Sequence, residues 1–312
     1  MSSAQHRVET ADVSDAATLA SIMQASDKHL NPQASEVGVL EAEEILNGYI
    51  DSILARKVIS TQNNSVSAIV TVHPDNSRKR IYADAWQLPN ADLEKEILSQ
   101  TIELAKSISP EYKLWIGVNT LDESYKNTLK SFGFELLRTY WGLSAPVEKT
   151  EFPNLPEGFE LRTVSSEEDF KLWWQAHQDS FSNHFGFAPR EYSEWRKMVE
   201  GETGVDPEGR KILIHEDRAI GFIECSDIKR DLNAGYVNGL GVIKDFHGRG
   251  FGELLLRWAF AYYAAENRTS IELNVDTGNE SGALRLYEKL GMKPKQSWQQ
   301  FNNPNWNKLF IG

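Results

Sequence analysis

Val242-Ile-Lys-Asp-Phe-His-Gly-Arg-Gly-Phe-Gly252 reads as the end of a strand, a glycine-rich turn and the start of a helix. Gly248, Gly250 and Gly252 alternate across the turn, so the backbone can take positive φ and approach a ligand without Cβ atoms in the way. The stretch that follows, Glu253 to Glu266, is rich in helix formers and holds no proline. The free N–H groups of a helix N-terminus favour an anion, and Arg249 adds a full positive charge. A pyrophosphate suits such a turn. Two other phosphate loops fail on spacing. A dinucleotide fingerprint counted from Gly248 puts Glu253 at its last glycine, and counted from Gly250 puts Leu255 there. A P-loop would end in Gly-Lys-Ser/Thr, whereas this turn ends in Gly252-Glu253-Leu254. The remaining alternative is a turn whose glycines serve packing alone.

A helix and a strand later comes Asn279-Glu-Ser-Gly-Ala-Leu-Arg-Leu-Tyr-Glu-Lys-Leu-Gly-Met292, an amphipathic helix with one tyrosine. His-Gly-Arg-Gly-Phe-Gly resembles the Arg/Gln-x-x-Gly-x-Gly/Ala coenzyme A signature of the GNAT superfamily of N-acetyltransferases. The later stretch, with Asn279, Ala283, Tyr287 and Gly291-Met292, resembles that superfamily's downstream motif. The resemblance implies acetyl-CoA as acyl donor, held by Leu240, Gly241 and Val242 on a splayed strand, by His247, Gly248, Arg249, Gly250, Phe251 and Gly252 in the turn, and by Asn279, Ala283 and Tyr287. It also implies that the Tyr287 hydroxyl protonates the leaving thiolate, although a tyrosine on an amphipathic helix can equally be core. The sequence departs from the family at His247, which stands where Arg or Gln is usual, and at Tyr236, which stands eleven residues earlier, where a glutamate base is usual. Glu224, Glu272 and His184 are the other candidates for the base, and strand alternation does not choose among them.

Acceptor recognition is expected from His177 to Pro189 and Trp195, with His184, Phe185 and Asn238 as candidate substrate contacts; Phe181, Phe185 and Trp195 can equally be core. Lone Cys225 forms no internal disulfide and has no His or Asp beside it in sequence, so it is read as a buried apolar group.

The chain has 312 residues, a hydrophobic fraction of 40% and a formal net charge of −12. That length suggests two domains. The acidic balance opposes broad nucleic-acid binding and favours a cationic small-molecule amine as partner. No metal is expected. The opening Met1-Ser-Ser-Ala-Gln-His-Arg7 lacks the apolar core of a signal peptide, and no apolar run is long enough to span a membrane, so a cytoplasmic protein is expected.

The chain also repeats itself. Arg56-Lys-Val-Ile-Ser60 and the following Val66–Val72 parallel Arg210-Lys-Ile-Leu-Ile214 and Ala219–Ile223, and Val118-Asn-Thr-Leu-Asp-Glu-Ser124 parallels Val275-Asp-Thr-Gly-Asn-Glu-Ser281. We expect an α/β fold of two tandem GNAT-type domains, each with a mixed, mostly antiparallel central sheet flanked by helices. The expected bounds are residues 1–146 for a degenerate copy, 147–158 for a proline-rich linker and 159–312 for the catalytic copy. The first copy carries Leu88-Pro-Asn-Ala-Asp-Leu-Glu-Lys-Glu96 where its anion turn should be, with no glycine and three carboxylates. The position matching Tyr287 falls on Leu129 or Lys130. The tandem layout resembles the mycothiol synthases, which acetylate a cysteinyl amine, but their His-Pro-Glu-Gln stretch is absent near His184. The expected function is therefore acetyl transfer to a primary amine of a small molecule by direct attack in a ternary complex; the alternative is a non-catalytic acyl-CoA sensor.

Overall fold

A computed structural model describes residues 6–48, 54–202, 204–279 and 282–311. The opening Met1–Gln5, and Glu280 and Ser281 of the second motif, lie outside the described residues. The chain divides into unit 1, Met1–Tyr140 with Gln296–Gly312, and unit 2, Trp141–Lys295. In chain order the first ten elements are β1 (His6–Thr10), α1 (Ala16–Leu30), α2 (Val39–Asn47), β2 (Leu54–Ser60), β3 (Val66–Asp75), β4 (Arg80–Gln87), α3 (Glu94–Ile108), β5 (Lys113–Asn119), α4 (Glu123–Ser131) and β6 (Glu135–Pro146). The next ten are β7 (Phe159–Thr163), α5 (Glu167–Phe181), α6 (Tyr192–Glu200), β8 (Val205–His215), β9 (Arg218–Ser226), β10 (Ala234–Val242), α7 (Phe251–Ala265), β11 (Ser270–Asp276), α8 (Ala283–Lys289) and β12 (Lys293–Asn302). The same order of strands and helices occurs twice, so the sequence repeat is a repeat of architecture.

In unit 1 the strands run β1-β2-β3-β4-β5-β12. Neighbours pair antiparallel except β4 with β5, which are parallel. In unit 2 the order is β6-β11-β10-β9-β8-β7, with β10 and β11 parallel and β7, β8, β9 and β10 successively antiparallel. β6 and β12 each cross the division of the chain, so unit 1 takes its sixth strand from Gln296 onward and unit 2 takes its own from Trp141 onward. Both sheets are mixed, mostly antiparallel and flanked by helices, as expected.

β9, next to the strand that carries the unit 2 site, is buried on both faces. β9 is an almost unbroken apolar run: Ala219 and Phe222 pack with Trp173 and Trp195 from α5 and α6, while Ile220, Ile223 and Cys225 pack with Leu255, Leu256 and Tyr263 from α7. A Ser166–Asp169 capping box starts α5, and Glu167, Glu168 and Asp169 in its first turn complement the helix dipole. Trp173 and Trp195 meet edge to face at 4.8 Å. With the position of α5 thus determined, it crosses β10 closely: a Cβ on Gly241 would collide with Ser180 and Phe222.

Candidate active site

The site begins where β10 leaves β11. Their parallel pairing runs from Ala234 opposite Ser270 to Val237 opposite Leu273, whereas β10 stays registered with β9 as far as Val242 opposite Gly221. Between Val237 and Gly239 the register with β9 shifts by a bulge at Asn238. Beyond Val237 the β11-facing edge of β10 is therefore open, which is the splay expected around Leu240 to Val242. The Tyr263 hydroxyl anchors the closed end: it accepts from the amides of Ser226 and Tyr236, each at 3.0 Å, and donates to the Tyr236 carbonyl at 2.7 Å. Sequence reading passed over Tyr263. Its only trace is Gly235, where a Cβ would collide with the Tyr263 ring.

The chain then enters the glycine turn. Gly248 has φ +75° and Gly250 φ +84°, and a Cβ on either would meet no atom within 4 Å, so these glycines serve the left-handed backbone and not packing. Gly250 is the N-cap of α7 without any side-chain capping bond, and the first amide bonded back to it is that of Leu254 at 2.9 Å. The amides of Phe251, Gly252 and Glu253 are left for a ligand. His247 Nε2 donates to the Val242 carbonyl at 2.7 Å, tying the turn to the end of β10. Arg249 is exposed, with its guanidinium 4.8 Å from the centre of the Phe246 ring. The Phe251 side chain is buried among Phe159 and Phe246, so only its backbone can face a ligand. Gly252 brings α7 close to α8, since a Cβ there would lie 3.3 Å from Leu286. Leu240 and Val242 are half-buried against the α7 side of the core, and Ala283 opens α8 directly after Gly282, φ +83°. The Asn279 amide donates to the Asp276 carbonyl at 3.1 Å.

Tyr287 on α8 is 7% exposed, and its hydroxyl makes no hydrogen bond to any described residue. Burial pushes its pKa up to about 12, so the phenol keeps its proton at neutral pH. The unbonded hydroxyl is free to donate to an incoming acceptor.

The base candidates separate clearly. Glu224 is buried, accepts from Arg210 Nε at 3.0 Å and Nη2 at 2.9 Å, and also accepts from Asn238 Nδ2 at 3.2 Å. Arg210 in turn pairs with Glu202. Glu272 is held by Lys229 at 3.4 Å and by Lys295. Both carboxylates are thus committed to ion pairs, and Asn238 presents its amide to one of them. Tyr236 is half-buried on β10. His184, in the loop after α5, makes no side-chain hydrogen bond to a described residue and lies edge to face with Phe181 at 4.5 Å. Burial is the main force on its pKa, with His247 also lowering it and Asp276 opposing, and the net effect is downward. Of the aromatics expected near the acceptor, Trp195 is core and Phe181 packs on Phe222, whereas Phe185 is exposed. Cys225 is buried, its pKa is raised by burial, and it belongs to the core. Among the described residues there is no group of three metal-type ligands and no helix long and apolar enough to cross a membrane.

Residues 170–292 match the model of the acetyltransferase (GNAT) family. That match lies within the second half of the chain and takes in β9, β10, the glycine turn and α8. A mycothiol acetyltransferase of Thermobispora bispora is 28% identical over 169 residues, covering 51% of this chain and 55% of that protein. An uncharacterized N-acetyltransferase of Methanocaldococcus jannaschii is 25% identical over 154 residues, 47% of this chain and 66% of its own. The chain therefore spans about half to two-thirds of the length of these relatives. Among solved structures, a GCN5-related N-acetyltransferase from Sphaerobacter thermophilus superposes with TM-score 0.78 at 19% identity, covering 96% of each chain. A tandem GNAT protein from the clavulanic acid biosynthesis pathway superposes with TM-score 0.67 at 14% identity, over 96% of this chain and 98% of the other. At that identity the likeness concerns the fold alone.

Proposed function

We propose that unit 2 is an acetyl-CoA-dependent N-acetyltransferase that acts on a primary amine of a small molecule, by direct attack in a ternary complex. The observation that carries this reading is the unbonded Tyr287 hydroxyl on α8, the helix that packs closely on α7 where α7 leaves the glycine turn. Acetyl-CoA supplies an acetyl group already activated as a thioester. The residues fit it: the amides of Gly248 to Glu253 take the pyrophosphate, and Gly248 and Gly250 leave room above the backbone for its close approach. The open edge of β10 at Leu240 to Val242 offers peptide groups to the pantetheine arm and to the developing oxyanion. Tyr287, protonated at neutral pH, donates to the departing sulfur.

For the amine proton the reading favours His184. It is neutral at physiological pH and has no side-chain hydrogen bond to a described residue, whereas Glu224 and Glu272 are already neutralised by cations. The net charge of −12 draws a cationic amine toward the protein. The partial similarity to mycothiol acetyltransferases directs the first choice of acceptors to cysteinyl and amino-sugar amines.

The test is thiol release from acetyl-CoA against a panel of primary amines, amino sugars and aminoacyl conjugates. Acetylation of an amine, lost in Tyr287→Phe, supports the proposal. Binding of acetyl-CoA with no acetylated amine, and no effect of Tyr287→Phe, would leave a non-catalytic sensor. Absence of acetyl-CoA binding removes both readings.

A further inference from the structure

Unit 1 contains a second opening of the same kind with different chemistry. β4 pairs with β5 from Arg80 opposite Lys113 to Ala83 opposite Ile116, and the pairing ends there. The next residue, Asp84, lies over Gly117: a Cβ at Gly117 would collide with Asp84 Oδ1. On the far side of Gly117, β12 places Gln300 directly opposite, and register partners across antiparallel strands present their side chains to the same face. Asp84 is itself opposite Thr71 of β3. Thr71, Asp84, Gly117 and Gln300 thus form one row across four strands, a polar row with a glycine floor.

Both acceptors in that row are unpaired. Gln300 Oε1 is buried with no hydrogen-bond partner. The Asp84 carboxylate has no hydrogen bond or ion pair among the described residues; it keeps a window on solvent, yet burial alone pushes its pKa up to about 6. The nearby cations on this face are engaged elsewhere: Arg80 stacks 3.5 Å from the Trp115 ring centre and donates to the Tyr82 hydroxyl, and Lys57 is held by Asp15 at 2.8 Å. His73, opposite Tyr82, is pushed down to about 4 by burial and is neutral. A recessed carboxylate with no counter-ion is expensive. Two acceptors flanking one glycine, with no donor between them, call for a ligand that brings N–H groups and positive charge.

We propose that unit 1 holds a binding site of its own for a small organic ammonium group, anchored by the Asp84 carboxylate above Gly117, with Gln300 Oε1 as the second acceptor. The site is separate from the transferase reading and stands or falls without it. It gives the copy that lacks a glycine turn a ligand of its own, at the place where β4 leaves β5.

The experiment is a titration of the full chain with methylammonium and glucosamine, with neutral N-acetylglucosamine as control, followed by 15N NMR at the Gly117 amide and the Gln300 side-chain amide. These signals report unit 1 and not the acceptor site of unit 2. The expected result is saturable shifts with at least one of the two cations, none with the neutral sugar, and a loss of about tenfold or more in affinity in Asp84→Asn. Gln300→Leu leaves Asp84 in place and should weaken the cation several-fold. Equal binding of the neutral sugar, unmoved Gly117 and Gln300 signals with both cations, or undiminished affinity in both variants would overturn the proposal.

Discussion

At the scale of single residues, the difference between a buried tyrosine and a working one is whether its hydroxyl has a partner. Tyr263 satisfies its hydroxyl with the backbone of two strands and is structural, whereas Tyr287 is less enclosed and its hydroxyl is unbonded. Tyr287→Phe should lower kcat by about 10²-fold with little change in the KM for the amine, because the phenol acts on the departing sulfur and not on substrate binding. His184 makes a prediction of the opposite kind. Its pKa lies below the ordinary histidine value because burial disfavours the charged ring, so the acid limb of kcat/KM should fall below pH 6.5 and disappear in His184→Ala. A limb above pH 6.5, or one that survives the substitution, assigns the proton to another group.

At the scale of elements, the turn before α7 shows what glycine supplies. Positive φ also alternates in unit 1, at Asn90 (φ +60°) and Asp92 (φ +53°), ahead of α3. The left-handed backbone therefore persists without glycine, carried by the residue types that tolerate it best. Gly248→Asn should consequently keep most acetyl-CoA affinity, while Gly248→Val should raise the KM for acetyl-CoA strongly, its β-branch being strained at φ +75°. Elements whose signal is local were legible: β10 ends at Val242 and α7 opens out of the glycine turn, as that stretch of sequence reads. The chemistry of the strands was not. Glu224 looked like a candidate base because sequence shows a carboxylate on a strand, but its commitment to Arg210 arises from register between β8 and β9, fourteen residues apart. Asp84 and Gln300 lie far apart in the chain and meet only across Gly117. No short-range pattern announces such pairs.

At the scale of the whole molecule, stability should rest on the double-sided cores. Trp195→Ala removes a ring that is 1% exposed and packed edge to face on Trp173, and should cost about 3–5 kcal/mol, measurable by chemical denaturation. Asp84 predicts a pH signature. Its folded pKa, about 6, is above the ordinary 3.8, so below pH 4 the group costs nothing and between the two values the unfolded chain ionises first. Native stability should therefore fall as pH rises from about 4 to 6, by about 1–2 kcal/mol after allowance for its solvent window. Asp84→Asn should remove that fall; an unchanged slope would show that the carboxylate is hydrated as in the unfolded chain.

The membership of β12 in unit 1 bears on the order of synthesis. Residues Trp298–Asn302 pair with Asn119–Trp115, and Trp306 is buried in the unit 1 core. Residues up to Tyr140 thus wait for a strand that is synthesised after the whole of unit 2 before their sheet is complete. In the interval the β5 edge has its hydrogen-bonding groups unpaired, which is the condition under which nascent chains join one another or enlist a chaperone. Truncation near residue 146 would make that interval permanent.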